Sequence, residues 1–103
     1  MEVNQRFSFG LDLIREAGEL ALRFFNARSN LNVQSKGPQD LASEADLQVE
    51  LLIRDKLAKA FPDDAFLGEE TEPTVYSEGQ GIWVVDPIDG TQPFICGLTS
   101  WCV

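Results

Sequence analysis

The spacing of apolar residues changes at Pro62, and this change constrains the possible folds more than any other feature of the chain. Before Pro62, apolar and small side chains recur at helical spacing through residues 7–27 and again through residues 45–57. After it come two short runs rich in strand-forming residues, Ala65–Leu67 and Ile82–Val85, both too short for helices. Two helices followed by two strands predict an α+β or layered α/β fold. A chain of 103 residues suffices for one domain or a piece of one.

Each predicted helix has an apolar face that we expect to be buried. The first helix has one main stripe, widened by a second one beside it. The second helix is predicted to start near Ser43, which stands three residues before Asp46 as in a capping box, and to stop at Pro62. Residues 30–40 are polar, contain Gly37-Pro38 and predict a loop. The expected core positions are Phe7, Leu11, Ile14, Gly18, Ala21 and Phe25, widened by Leu13, Ala17, Leu20 and Phe24, with Ala45, Val49, Leu52, Ile53 and Leu57 on the second helix.

The chain has no histidine, and this excludes several classes of enzyme for this segment. Serine or cysteine hydrolases with a histidine base, histidine phosphocarriers and HExxH zinc sites all need that side chain. Two cysteines, Cys96 and Cys102, are too few for a disulfide scaffold and fit a reducing compartment. No apolar run is as long as a membrane span, and the start of the chain does not resemble a signal peptide. We therefore expect a cytoplasmic protein without a membrane segment.

Negative charge is concentrated in the second half of the chain. The net charge is −9, and no basic residue follows Lys59, whereas eight acidic residues lie from Asp63 to Asp89. Such a chain offers no surface for the phosphate backbone, so we expect no nucleic acid partner. On charge alone, a solvated acidic face is the more common explanation. The alternative is that hard divalent cations, which prefer oxygen ligands, neutralise some of these carboxylates.

Both predicted strands end in carboxylates, Glu69-Glu70 after the first and Asp86 after the second. Pro87 turns the chain, so Asp89 can point back toward Asp86 with a backbone carbonyl between them. If a helix starts at Gly90-Thr91, its N–H groups provide an anion site beside these acids. Carboxylates for metals next to donors for an anion are what the hydrolysis of a phosphate ester needs.

Each of these residues also has an ordinary structural explanation. Asp-Pro and Asp-Gly pairs are common in turns, Asp46 alone suits a helix cap, and Thr91 alone suits an N-cap. Two other patterns fail: Gly79-Gln80-Gly81 lacks the third glycine of a dinucleotide loop, and residues 86–90 lack the spacing of an EF-hand.

Three motifs together resemble the inositol monophosphatase family. Asp86-Pro87-Ile88-Asp89-Gly90-Thr91, with Trp83 before it and Phe94 and Gly97 after it, is similar to the family signature. Gly68-Glu69-Glu70 resembles its upstream acidic motif, and Lys36 with residues 40–46 and Glu50 resembles its loop-to-helix segment. The resemblance implies a magnesium-dependent phosphomonoesterase of a small phosphate ester, such as inositol monophosphate. It also implies a layered αβαβα fold, a homodimer in the full-length protein, and inhibition by lithium.

The resemblance assigns metal ligands residue by residue. Glu69, Asp86 and the Ile88 carbonyl are implied to hold one Mg²⁺, and Asp86 and Asp89 to contribute to a second. Attack by a metal-activated water, rather than by a side chain, fits a site whose acids serve as ligands.

The resemblance also assigns the groups that handle water and substrate. Glu70 is implied to position the attacking water, and Thr91, paired with Asp46, to activate it. The backbone of Gly90 and Thr91 is implied to hold the phosphate, and Lys36 to lie in a loop near the metals.

The chain also departs from the family pattern. Gln92-Pro93 follows the signature where the family commonly has a small or polar residue and then asparagine, which points to a subgroup with another substrate, such as histidinol phosphate. Residues 1–103 correspond to the N-terminal portion of one domain of this type, so we expect negligible activity from them alone. Two alternatives stay open: a haloacid-dehalogenase-type phosphatase, disfavoured because it needs Asp-x-Asp, and a non-catalytic acidic module that binds divalent ions.

Overall fold

The structure, a computed structural model, describes residues 3–31 and 38–103, with side chains described for residues 3–27 and 44–103. Within these ranges the chain forms helices α1 (Val3–Leu31) and α2 (Pro38–Ala60), strands β1 (Ala65–Gly68) and β2 (Ile82–Val85), and the short helix α3 (Thr91–Cys96). The predicted α+β class is confirmed, since two long helices pack on each other and a two-stranded sheet contributes Phe66, Trp83 and Val85 to the same hydrophobic cluster. None of the helices in this part of the chain is long and apolar enough to cross a membrane.

Helix α2 begins earlier than the sequence predicted. Its first residue is Pro38, so Ser43 lies inside the helix and does not cap it. Proline suits the first helical position because its φ is already near the helical value and its missing N–H is not needed there. The helix ends at Ala60, ahead of Pro62 as expected. Its predicted buried face is confirmed, with Leu52 at the half-buried edge and four fully covered positions: Ala45, Val49, Ile53 and Leu57.

The buried face of α1 matches the expected main stripe only in part: Ala21 is fully buried and Phe25 is half-buried, but three other members are more exposed. Phe7 is 68% exposed, and Leu11 and Ile14 are 42% and 44% exposed. The buried side chains of α1 are Leu13 and Ala17 from the second stripe and Ala21 from the main one, and they share one hydrophobic cluster with the buried face of α2. The outer stripe instead lines a groove of about 460 Å³ beside β2.

Strands β1 and β2 pair in parallel, and their register places Gly68 opposite Val85. Both strands therefore end at the same edge of the sheet, where the acidic residues follow. At the opposite edge, the Asp64 carboxylate accepts two hydrogen bonds from the Arg6 guanidinium, both at 2.7 Å, and one from the Trp83 indole at 2.9 Å. This network ties α1 to both strands.

The last residues fold back onto the segment after β2. The N–H of Asp89 donates to the carbonyl of Cys102 at 2.7 Å, and the N–H of Cys102 donates back at 3.0 Å, forming an antiparallel bridge. The rings of Phe25, Phe94 and Trp101 pack together with centroids 5.1–5.4 Å apart. These contacts hold the Asp86–Thr91 segment between α1 and the end of the chain.

Candidate active site

Glu69 and Asp86 lie side by side at the carboxyl edge of the sheet. Each follows its strand directly, and the register that pairs Gly68 with Val85 makes them neighbours. The pKa of Glu69 is raised above its ordinary value, first by the charge of Asp86 and then by burial and the charges of Glu70 and Glu50. The predicted meeting of the two acidic strand ends is thus present in the structure.

The segment after β1 is shaped around the side chain of Glu50, on α2. This side chain is completely buried. Its carboxylate accepts hydrogen bonds from the backbone N–H groups of Glu69 at 2.8 Å, Glu70 at 3.1 Å and Thr71 at 2.7 Å, and from the Thr71 hydroxyl at 2.7 Å. Gly68 is required beside it, because a Cβ there would overlap the carboxylate. Sequence reasoning noted Glu50 only within the resemblance and gave it no role.

Asp46, one helical turn before Glu50, faces the same acidic group. Its pKa is raised to about 7, first by burial and then by the charges of Glu70, Asp86, Glu69 and Glu50. Its Oδ1 atom is buried and has no hydrogen-bonding partner. A buried carboxylate oxygen without a donor, surrounded by other carboxylates, is suited to a proton or a cation.

Arg54 is the positively charged residue of this part of the site. Its guanidinium donates to the Thr71 hydroxyl at 2.6 Å and to the carbonyl of Glu72, and it lies over the Phe66 ring, 5.1 Å from the centroid. Arg54 was missed, although a signal exists: Asp46, Glu50 and Arg54 are spaced four residues apart, so they form one stripe of the helix.

The segment after β2 is turned by Pro87 and Ile88, both buried. The Ile88 carbonyl, a predicted metal ligand, accepts a hydrogen bond from the Thr91 hydroxyl at 3.2 Å and keeps a second lone pair. The expected pairing of Thr91 with Asp46 is therefore not formed in the structure. The physical reason is local: at the first position of α3, the hydroxyl turns back to the carbonyl three residues earlier.

Asp89 and Lys36 complete the predicted set. Asp89 is exposed and, with Asp86, lines a cavity of about 450 Å³ that is otherwise mostly apolar. It is not among the charges that raise the pKa of Asp46 or Glu69. Lys36 lies outside the described residues.

The donor set fits a hard divalent cation. It consists of carboxylate and backbone carbonyl oxygens, which Mg²⁺ and similar ions prefer, and it includes the unpartnered Asp46 oxygen. Among the described residues, no three acidic or thiol side chains are close enough together to hold a metal ion as they stand. The carboxylates are within electrostatic range of one another: burial and then neighbouring carboxylates raise the pKa of Asp46, and the charge of Asp86 is the largest cause of the raised pKa of Glu69.

Comparison with known proteins gives a consistent result. The model of the inositol monophosphatase family matches residues 2–103. The inositol-1-monophosphatase of Rhizobium meliloti is 42% identical over 88 residues, which cover 85% of this chain and 33% of that protein. The histidinol-phosphatase of Chlorobaculum parvum is 43% identical over 93 residues, covering 90% of this chain and 35% of that protein.

A solved structure agrees with these matches. The crystal structure of inositol monophosphatase II from Staphylococcus aureus superposes with a TM-score of 0.73 at 32% identity, covering 89% of this chain and 33% of that one. The chain therefore spans about a third of the length of these relatives.

Proposed function

Because the chain belongs to the inositol monophosphatase family, we propose that its acidic site takes part in the metal-dependent hydrolysis of a small phosphate monoester. The observation that carries this proposal is the grouping of Glu69, Glu70, Asp86 and Asp46 at one sheet edge. Four carboxylates lie together there without a histidine or a thiol among them, and burial and neighbouring charges raise the pKa values of Asp46 and Glu69. Such an all-oxygen set matches the ligand chemistry of Mg²⁺. Bound there, Mg²⁺ would neutralise the phosphoryl oxygens and make water a better nucleophile.

The chain's own groups divide into ligands and proton carriers. Glu69, Asp86 and the Ile88 carbonyl would hold the first Mg²⁺, and Asp86 with Asp89 would contribute to the second. These four positions provide only oxygen donors, as both ions require.

The remaining groups would handle water and substrate. Glu70 positions the attacking water. Asp46 would accept the proton through the Thr91 hydroxyl, which for this step has to turn from the Ile88 carbonyl toward the unpartnered Asp46 oxygen. The backbone of Gly90 and Thr91 would bind the phosphate, and Lys36, which lies outside the described residues, would contribute to substrate binding.

Two substrate classes are favoured. Inositol monophosphate follows from the family, whereas histidinol phosphate is favoured by the match to the Chlorobaculum parvum histidinol-phosphatase. The Gln92-Pro93 departure, at the start of α3, supports the second class. We further propose that residues 1–103 are the N-terminal portion of one such domain, that the whole protein is a cytoplasmic homodimer, and that lithium inhibits it.

The test is a phosphate-release assay on the whole protein and its variants, with intact mass measured first. Inositol 1-phosphate, histidinol phosphate and fructose 1,6-bisphosphate are offered with Mg²⁺, with EDTA, and with added lithium. We expect turnover that requires Mg²⁺ and falls by orders of magnitude in Glu69→Gln and Asp86→Asn. Glu78→Gln, which removes an exposed charge in the loop before β2, is the matched control and should retain activity.

Each possible result has a clear meaning. Activity near the parent level in Asp86→Asn would show that the metal assignment is wrong. Saturable Mg²⁺ binding without hydrolysis of any ester would favour the acidic ion-binding module instead.

A further inference from the structure

The Glu50 carboxylate is an unusual feature for a helix of this type, because it is both completely buried and without a salt-bridge partner within 4 Å among the described residues. An unpaired buried charge is costly unless hydrogen bonds replace the water it lost. Here three successive backbone N–H groups and one hydroxyl converge on its two oxygens. The chain after β1 thus wraps around an internal anion, in the way backbone nests bind external ones.

The residues that wrap around Glu50 are the ones that present carboxylates to the site. Strand β1 ends at Gly68, so strand pairing no longer fixes the backbone beyond that residue. The N–H groups of Glu69 and Glu70 donate to Glu50 instead. The position of their Cα atoms, and therefore the reach of both carboxylates toward Asp86, depends on this one side chain.

Thr71 and Arg54 close the arrangement. The Thr71 hydroxyl donates to the Glu50 carboxylate and accepts from Arg54, one turn further along α2. Arg54 also donates to the carbonyl of Glu72. Two consecutive turns of a well-packed helix therefore hold the whole segment 69–72, and the glycine before it makes room for the carboxylate.

We propose that Glu50 is a positioning residue of the site: its buried carboxylate sets the backbone of Glu69 and Glu70 and thereby tunes the affinity of the strand-end carboxylates for a divalent cation. The part of this inference that concerns the cation rests on the proposed function. Residues that orient metal ligands from behind typically change affinity by about 10- to 100-fold when altered.

The experiment compares Glu50→Asp, Glu50→Gln and the control Glu44→Gln, which removes an exposed charge from the same helix. Two quantities are measured on the purified chain: amide hydrogen exchange at residues 69–71 by NMR, and Mn²⁺ affinity by calorimetry. Glu50→Asp keeps the charge but shortens the side chain, so it separates position from electrostatics. We expect both Glu50 variants to exchange faster at residues 69–71, with protection in α1 and α2 retained, and to bind Mn²⁺ about tenfold or more weakly.

The possible results distinguish a failure of the positioning role of Glu50 from a failure of the proposed function. Parent-like Mn²⁺ affinity in a folded Glu50→Gln, with faster exchange, would reduce Glu50 to a loop anchor and overturn the positioning role. Unchanged exchange at residues 69–71 would also overturn it. A parent chain that shows no saturable Mn²⁺ binding would overturn the proposed function and the positioning role together.

A third variant keeps the test decisive if both Glu50 variants fail to fold. Thr71→Val removes the hydroxyl that links Glu50 to Arg54 and keeps a side chain of nearly the same shape at this half-buried position. We expect weaker Mn²⁺ binding than in Glu44→Gln, and equal affinities would contradict the proposal.

Discussion

Gly90 stands between two predicted site residues, and replacing it with alanine tests whether its backbone and its surroundings are both required. Its φ is +90°, where a residue with a Cβ loses roughly 1–2 kcal/mol. A Cβ at this position would lie 2.7 Å from the Ser100 carbonyl oxygen and 3.3 Å from the Trp101 Cα, so the final segment must move. That movement weakens the two hydrogen bonds between Asp89 and Cys102, each contributing about 0.5–1.5 kcal/mol. The total expected loss is about 2–5 kcal/mol.

Gly79 provides a matched control for this substitution. Its φ is +84°, but a Cβ there would meet no atom within 4 Å. Gly79→Ala should therefore lose only the backbone contribution, and the difference between the two variants measures the contact with Ser100 and Trp101. The assay is urea unfolding of both variants and the parent followed by far-UV circular dichroism. For a domain of this size each 1 kcal/mol also shifts the melting temperature by about 4–8 °C. Equal losses in the two variants would refute the argument that the final segment packs against Gly90.

Two further predictions concern pH. The hydrogen bonds from Arg6 hold the pKa of Asp64 below its ordinary value of 3.8, so this stabilisation is complete above that value and is lost as the pH falls through the folded-state pKa. Asp64→Asn should therefore lose less stability than the parent between about pH 5 and pH 3 in chemical denaturation, and equal losses would contradict this reasoning. The pKa of Asp46 is raised to about 7, first by burial, so its contribution becomes unfavourable as pH rises from its ordinary value toward 7. Asp46→Asn in EDTA should stabilise the chain more at about pH 8 than at about pH 5, whereas an equal gain would show that Asp46 titrates normally.

The parts of the fold that were predicted correctly depend on local signals. Pro62 stops a helix wherever it lies, and Ile82–Val85 is too short and too rich in β-formers to be anything but a strand. That Glu69 and Asp86 share one site was implied by the family resemblance. The parallel pairing that brings both strand ends to the same edge was found in the structure and was not predicted from the sequence.

The less predictable positions are those whose role depends on which neighbouring element or acceptor group contacts them. Phe7, Leu11 and Ile14 lie on the stripe expected to be buried, but in that part of α1 the covered side chains are Leu13 and Ala17 of the second stripe. Periodicity shows that a helix has apolar stripes and does not show which one its neighbour selects. The role of Thr91 stays a prediction: its hydroxyl can donate to Asp46 or to the Ile88 carbonyl, and in the structure it donates to the carbonyl.

Glu50 shows why a buried acidic residue is difficult to identify from sequence. By residue type, Glu50 cannot be told from the solvent-exposed acidic residues on the same helix. Its burial depends on backbone N–H donors that lie 19 to 21 residues further along the chain. The informative pattern is a charged stripe directly beside the apolar one: Asp46, Glu50 and Arg54 each follow a core residue, Ala45, Val49 and Ile53. A charge placed next to the core stripe on every turn lies at the edge of the packed face, where a neighbouring segment can cover it. The same helix face that anchors the core thereby extends into the site, so the stability of α2 and the placement of the strand-end carboxylates are physically linked.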